Sequence, residues 1–551
     1  MRPSDAAVSG SRRRRAPRDS RVQDRSAWWQ TAVFYEIATI SFQDSDGDGK
    51  GDLAGLLSRL DYLEWLGIGA VWLTPIYPSP MLDLGYDISD FCDVHPEFGT
   101  LEQFDSLLEE LHRRDVRLIL DFVPNHTSDQ HAWFTESRAS CRNPKRDWYL
   151  WADPRPDGGS PNNWQSRFGG SAWQWDEQSG QYYYHSFLRE QPDLNWRNAE
   201  VRTAMADVLR FWMRRGVDGF RVDASAVLAK DLLLRDNPPD PQAGESKPPP
   251  QRFRNIFTDD RPEAMAYLAE MREVIDEFEN CVLCGEVQGK TDRIGHFYGH
   301  DKPRLHLPLN FVLLDSAWDA ISLQGNIDAY LNAIPNKAWP DWVTGGHDKH
   351  RVASKLGPEQ MRVLAMLVLT LRGTPFFYAG DELGMERVPI ATDRITDPFE
   401  KLLPGYELNR DPERTPMRWD AGKNGGFSEA DPWLPMGPGI EKRNVETLKD
   451  DERSLLWLFK RLIALRRKEP ALAVGAYIPV RSQNDVLSFK RADGDVAFLV
   501  ALNLVHEPRR LAWDGEGTLL ISSHLDDYHP ALLRGPILLR PDEGLIIKLG
   551  R

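Results

Sequence analysis

The sequence predicts a (β/α)8 barrel with an inserted subdomain after its third strand and a C-terminal antiparallel β domain. Three observations carry this. From Val33 onward, short β-prone apolar runs alternate with helical patterns, which implies a parallel sheet covered by helices. The strand candidates number eight, the count of a closed barrel. Over seventy residues separate Asp121 from Asn198, too many for a simple strand-to-helix loop, and they hold seven Trp as well as Tyr182-Tyr183-Tyr184.

The elements follow in order. Val33–Ile37 reads as the first strand. Leu56, Leu60 and Leu63 mark a helix that stops at Gly67, and Ala70–Leu73 is the second strand. Thr100 caps a helix carrying Phe104, Leu107, Leu108 and Leu111, which leads into Arg117–Phe122. Asn198 is the N-cap of the next helix. Val201, Met205, Val208, Leu209 and Trp212 lie on its buried face, and Gly216 closes it. The remaining strands are Gly219–Asp223, Val282–Glu286, a run near Leu305–Phe311, Trp342–Gly345 and Thr374–Tyr378. A Pro-rich excursion spans Asn237–Pro262, and short β-like runs dominate after the helix Leu455–Arg467. The expected division is a disordered basic arm over 1–27, barrel over 28–124 and 197–475, subdomain over 125–196 and β domain over 476–551.

Composition narrows the function. With 68 basic against 83 acidic residues the net charge is −15, which argues against nucleic acid as a partner. The first 25 residues hold eight arginines but no apolar stretch of the kind an export signal needs, and no segment is long and apolar enough to span a membrane. Four cysteines make no disulfide framework. Cys281 and Cys284 form a CxxC, but an offset of three on a strand puts them on opposite faces, so they read as structural. A cytoplasmic protein, monomeric or homo-oligomeric, is expected.

The chemistry centres on Gly219-Phe220-Arg221-Val222-Asp223, where alternation puts Arg221 and Asp223 on one face. The guanidinium is expected to keep Asp223 ionised, as a nucleophile requires. Asp121, Glu286 and Asp348 also fall at or just beyond strand carboxyl ends, the face on which such barrels build their sites. Two carboxyls a short distance apart can cleave a glycosidic bond, one attacking the anomeric carbon and the other protonating the leaving group. Asp223 suits the first role. Glu286, on an apolar strand among other acids, suits the second because its pKa should rise. His126 and His347 offer donors for sugar hydroxyls.

These blocks resemble the signature regions of the α-amylase superfamily, glycoside hydrolase family 13. The likeness runs from about Trp28 to the C-terminus. It implies Asp223 as nucleophile, Glu286 as acid/base and Asp348 as transition-state stabiliser, with His126, Arg221 and His347 binding sugar or supporting the nucleophile. In Gly85-Tyr86-Asp87-Ile88 it implies that Tyr86 and Asp87 line the pocket for the non-reducing-end glucose. Gln191-Pro192-Asp193-Leu194-Asn195 and Arg410–Met417 resemble the oligo-1,6-glucosidase and α-glucosidase branch, with Arg410 a contact to terminal glucose. Gly346 departs from the pattern, since Asn is more usual before His-Asp.

Asp44-Ser45-Asp46-Gly47-Asp48-Gly49-Lys50-Gly51-Asp52 places acids at every second position of a glycine-rich turn, which suits Ca2+. It is not an EF-hand, because the twelfth position is Gly55 where a Glu is required. It resembles the single calcium loop of this branch, with Asp44, Asp46, Asp48 and Asp52 as ligands and Lys50 contributing its carbonyl; Mg2+ is an alternative. The activity the resemblance implies is exo-acting α-glucosidase on short oligosaccharides. Trehalose synthase or a sucrose-acting relative on the same triad is the alternative, and a non-catalytic transporter-associated member is a third reading. Ala224, directly after the nucleophile, implies α-1,4 preference, because enzymes of this branch that prefer α-1,6 bonds usually carry Val there.

Overall fold

A computed structural model describes residues 26–287, 291–526 and 531–550. The basic arm expected over 1–27 therefore lies, but for its last two residues, outside the described residues. Among these, eight parallel strands form the barrel: Phe34–Ile37, Ala70–Leu73, Arg117–Phe122, Gly219–Val222, Val282–Glu286, Leu307–Leu309, Asp341–Val343 and Thr374–Tyr378. Their order around the sheet is seventh, eighth, first, second, third, fourth, fifth, sixth. Between the sixth and seventh strands side chains help close the ring. Asn310 donates its amide nitrogen to Asp341 Oδ1 at 3.2 Å and its backbone N–H to the same oxygen at 3.3 Å. Every strand lies within about two residues of its sequence expectation.

The helices end where their capping residues dictate. Asn198 accepts from Glu200 N at 2.8 Å to start the helix Ala199–Arg215, which stops at Gly216 with φ 108°. Thr100 and Gln103 form a capping box on Leu101–Arg113.

The barrel interior is layered. Phe34, Trp72, Ile119, Val282, Cys284, Leu307, Val343 and Phe376 form a buried apolar plug. Two residues further along the first, third and fifth strands come Glu36, Asp121 and Glu286, so alternation delivers acids to the layer above the plug. Cys284 belongs to the plug, whereas Cys281 lies just before the strand at its rim. All four cysteines are free thiols.

The insertion builds its own three-stranded antiparallel sheet from Trp151–Ala152, Gln181–Tyr184 and Trp173–Asp176. Its core holds Trp164, Trp173 and Tyr184, so most of the aromatics are structural. The C-terminal residues form a six-stranded antiparallel sheet and a two-stranded one. A buried arginine of this domain fastens it to the barrel: Arg491 donates to Thr370 O, at the carbonyl end of the helix Val352–Thr370, which Arg466 of the barrel helix Leu455–Lys468 also caps through Leu369 O and Leu371 O.

Candidate active site

The strand ends gather three carboxyls around one guanidinium. Arg221, 3% exposed, reaches Asp121 Oδ1 at 2.8 Å and Asp223 Oδ1 at 2.7 Å through Nη1, and Glu286 Oε2 at 2.6 Å through Nη2. It lies over the Trp72 ring, 5.1 Å from the centroid. Asp121 and Arg221 are direct register partners on adjacent strands, which fixes their meeting.

Burial pushes the Asp223 carboxyl up to about 7; Arg221 pulls it back, while Glu286 and Asp121 add to the rise. This corrects the expectation that the guanidinium alone would keep Asp223 low: one cation is shared among three acids in a dry layer.

Asp348 stands beyond the seventh strand in the turn Gly346–Lys349. Arg414 Nη2 meets its Oδ1 at 2.5 Å, Arg410 Nη1 at 3.2 Å and His347 Nε2 at 3.4 Å. Burial opposes its ionisation, but these three cations outweigh that and hold the carboxyl well below the usual range. Tyr86 donates to Asp121 Oδ2 at 2.8 Å, and its oxygen also meets His347 Nε2 at 2.8 Å. His126 is buried, its Nε2 3.1 Å from Tyr86 O, and burial lowers its pKa, so the ring is neutral at pH 7.

Asp87 turns into its own loop, accepting from Ser79 Oγ at 2.9 Å, Leu82 N at 2.9 Å and Asp83 N at 3.1 Å. The acid that faces the site is Asp83, which meets Arg410 Nη2 at 3.0 Å and Gln191 Nε2 at 3.1 Å. Asp87 shapes the loop that presents Asp83 and Tyr86. The signal available in the sequence was a second acid four residues earlier in the same loop. Sequence reasoning also missed Glu36, Arg414 and Asp397, the last of which holds Arg410 at 2.8 Å.

In the acidic loop, carboxylate oxygens of Asp44, Asp46 and Asp48 lie within 4.8 Å of one another. Asp44 also accepts from Gly47 N at 2.7 Å and Gly49 N at 2.9 Å, which wraps the chain around it. Gly49 has φ 92°, and a Cβ there would meet Asp431 O at 2.3 Å, so the turn requires glycine. The Lys50 ammonium reaches out to Glu97 at 2.7 Å. Three convergent carboxylates fit a hard cation. Asp52 differs from the other acids: it caps the helix Leu53–Ser58 through Gly55 N at 2.8 Å and binds Ser45 N at 2.8 Å.

Comparisons with known proteins agree with this geometry. A family model described as alpha amylase, catalytic domain, matches residues 36–475. A probable alpha-glucosidase of Rhizobium meliloti (strain 1021) is 40% identical over 499 residues, covering 87% of this chain and 90% of that one. An oligo-1,6-glucosidase of Parageobacillus thermoglucosidasius is 35% identical over 567 residues, covering 95% and 99%. Among solved structures, the trehalulose synthase of Pseudomonas mesoacidophila MX-45 superposes with a TM-score of 0.87 at 36% identity, over 95% of this chain and 100% of that one. Barrel, site and relatives together define a glycoside hydrolase. The chain belongs to the α-amylase family, glycoside hydrolase family 13. Among the described residues, no helix is long and apolar enough to cross a membrane.

Proposed function

We propose that the protein is an exo-acting, retaining α-glucosidase that releases glucose from the non-reducing end of short α-glucosides, with α-1,4 linkages preferred. The observation that carries this reading is the Arg410–Asp83 pair. It ties the loop after the second strand to the segment after the eighth, and in this reading it closes one end of the site. Phe168 and Phe399 pack on the same guanidinium, 5.5 and 4.8 Å from their ring centroids. A site blocked at one end accepts a single terminal sugar.

In this reading Asp223 attacks the anomeric carbon while Glu286 protonates the departing oxygen. Glu286 then takes a proton from the water that cleaves the glucosyl ester, and Asp348 stabilises the positive charge of each transition state. Arg221 holds the two reacting carboxyls on adjacent nitrogens, which suits the short gap of about 5 Å that retention needs. The first-formed glucose is the α-anomer by NMR; the β-anomer would exclude this mechanism.

Linkage choice rests on Ala224. It sits at φ 48°, half-exposed beside the nucleophile. β-Branching there presses on a 4-linked leaving sugar more than on a 6-linked one, and a methyl-sized difference is worth roughly 10–200-fold. The expected result is that maltose is hydrolysed in preference to isomaltose and that Ala224→Val shifts the ratio toward isomaltose. The ratio is the proper readout, because Val is itself strained at positive φ. A wild-type enzyme faster on isomaltose overturns the preference. The likeness to a trehalulose synthase favours transglucosylation as a second reading. Product analysis after incubation with maltose, isomaltose, sucrose and trehalose separates the two.

The reading includes Ca2+ on Asp44, Asp46 and Asp48, with the Lys50 carbonyl and Asp52 completing the loop, and a cytoplasmic location. The ion would supply charge neutralisation to the loop and no chemistry at the triad. A ligand bound only by the native state stabilises it by mass action. Chelation is therefore expected to lower the melting temperature, reversibly on adding Ca2+, while the initial rate at moderate temperature is retained. A melting temperature indifferent to chelator and Ca2+ counts against the site.

A further inference from the structure

Glu36 is a buried acid that neither the motif reading nor the triad uses. It stands on the first strand, 2% exposed, in the layer of Asp121 and Arg221. Its Oε1 meets His347 Nδ1 at 2.5 Å and accepts from the backbone N–H of the same residue at 3.2 Å. It also lines a cleft shared with Trp72, Arg221, Glu286, Gly346 and Asp348.

The hydrogen bonds around His347 can be assigned by elimination. Nδ1 faces a carboxylate, which accepts. Nε2 faces the Tyr86 oxygen at 2.8 Å and Asp348 Oδ1 at 3.4 Å. Tyr86 spends its only proton on Asp121 Oδ2, 2.8 Å away, so its oxygen can only accept from the imidazole. Both ring nitrogens thus face acceptors, and both carry protons.

We infer that Glu36 is a positioning residue that keeps His347 an imidazolium, fixing a charged donor beside Asp348 in the glucose pocket. The groups around the ring are Glu36, Asp348, Tyr86, Asp121 and Arg414, and Asp381 with its partner Arg351 lies behind Glu36. Burial disfavours the charged ring, but Asp348 and Glu36 outweigh it and Arg414 only partly offsets them, so the pKa is raised. Glu36 also lies against the departure at Gly346, where a Cβ would come within 3.1 Å of Glu36 Oε2, a tight approach that a small shift of the carboxylate relieves.

A charged donor to a sugar hydroxyl is worth most when positive charge develops at the anomeric carbon and the hydroxyl's hydrogen bonds strengthen. Glu36→Gln preserves shape and an acceptor for the His347 backbone but removes the charge. The expected result is a roughly 10–100-fold loss in kcat with KM changed less than about threefold, the range in which a lost charge-assisted contact falls. The sign of the pH effect follows from the cation being the active form. Activity is lost as pH rises through the His347 pKa, so the basic limb moves to lower pH in Glu36→Gln. Histidine 15N shifts of the intact enzyme at pH 7, assigned with His347→Gln, should show an imidazolium in the wild type and a neutral ring in Glu36→Gln.

The inference rests on the glucosidase triad but not on its linkage preference. An active Glu36→Gln enzyme with an unmoved basic limb overturns it and leaves the triad standing. A neutral His347 in the wild type also overturns it, and that measurement holds even if the variant fails to fold.

Discussion

Asp223→Asn is expected to abolish turnover and, at pH 8, to melt at a higher temperature than the wild type. The first half follows from chemistry: an amide cannot form the glucosyl ester, and loss of a nucleophile costs roughly 10^4-fold or more. The second half follows from linkage. The folded-state pKa of Asp223 is raised to about 7 by burial, with Glu286 and Asp121 adding to it against Arg221. An unfolded aspartate titrates near 3.9. Below that value both states are protonated and the substitution changes nothing electrostatically. Between the two values the cost of the charge to the folded state grows with pH, and above about 7 it is complete. At about 1.4 kcal/mol per pH unit this amounts to a few kcal/mol at most, reduced by the lost contact to Arg221. The gap in melting temperature should therefore narrow as pH falls from 8 to 5. A variant that melts no higher than the wild type at pH 8 sinks the argument. The same group predicts that kcat/KM of the wild type falls on the acid side of neutrality, where the nucleophile Asp223 becomes protonated.

Glu286→Gln should separate the two carboxyls by role. Without the proton donor, cleavage of maltose is expected to fall by roughly 10^2–10^4-fold. A p-nitrophenyl α-glucoside, whose leaving group departs without a proton, should still form the glucosyl ester in a burst. The slow step becomes attack by water, and added azide, which needs no general base, should restore turnover and give an α-glucosyl azide. Equal losses on both substrates with no azide rescue would remove Glu286 from the acid/base role. The fold should tolerate the change, since the amide oxygen can still accept from Arg221 Nη2, now 2.6 Å from the carboxylate.

The barrel was legible because its determinants are local. Alternation on the strands, caps at Thr100 and Asn198 and stops at Gly67 and Gly216 are all properties of short windows, and the structure keeps each of them. The same alternation delivered Asp121, Arg221 and Glu286 to one layer. What only the tertiary structure decided is how charges from distant segments divide their partners. Asp83 and Arg410 meet although 327 positions apart, whereas Asp87, four residues from Asp83, is used up by its own loop. Glu36 reaches His347 across 311 positions, which no spacing rule anticipates. The pKa of Asp223 likewise depended on a count of acids and cations inside a dry layer rather than on Arg221 two residues away. Local backbone geometry is written in neighbouring residues, while electrostatics in a buried site is a sum over everything that folding brings within a few ångströms.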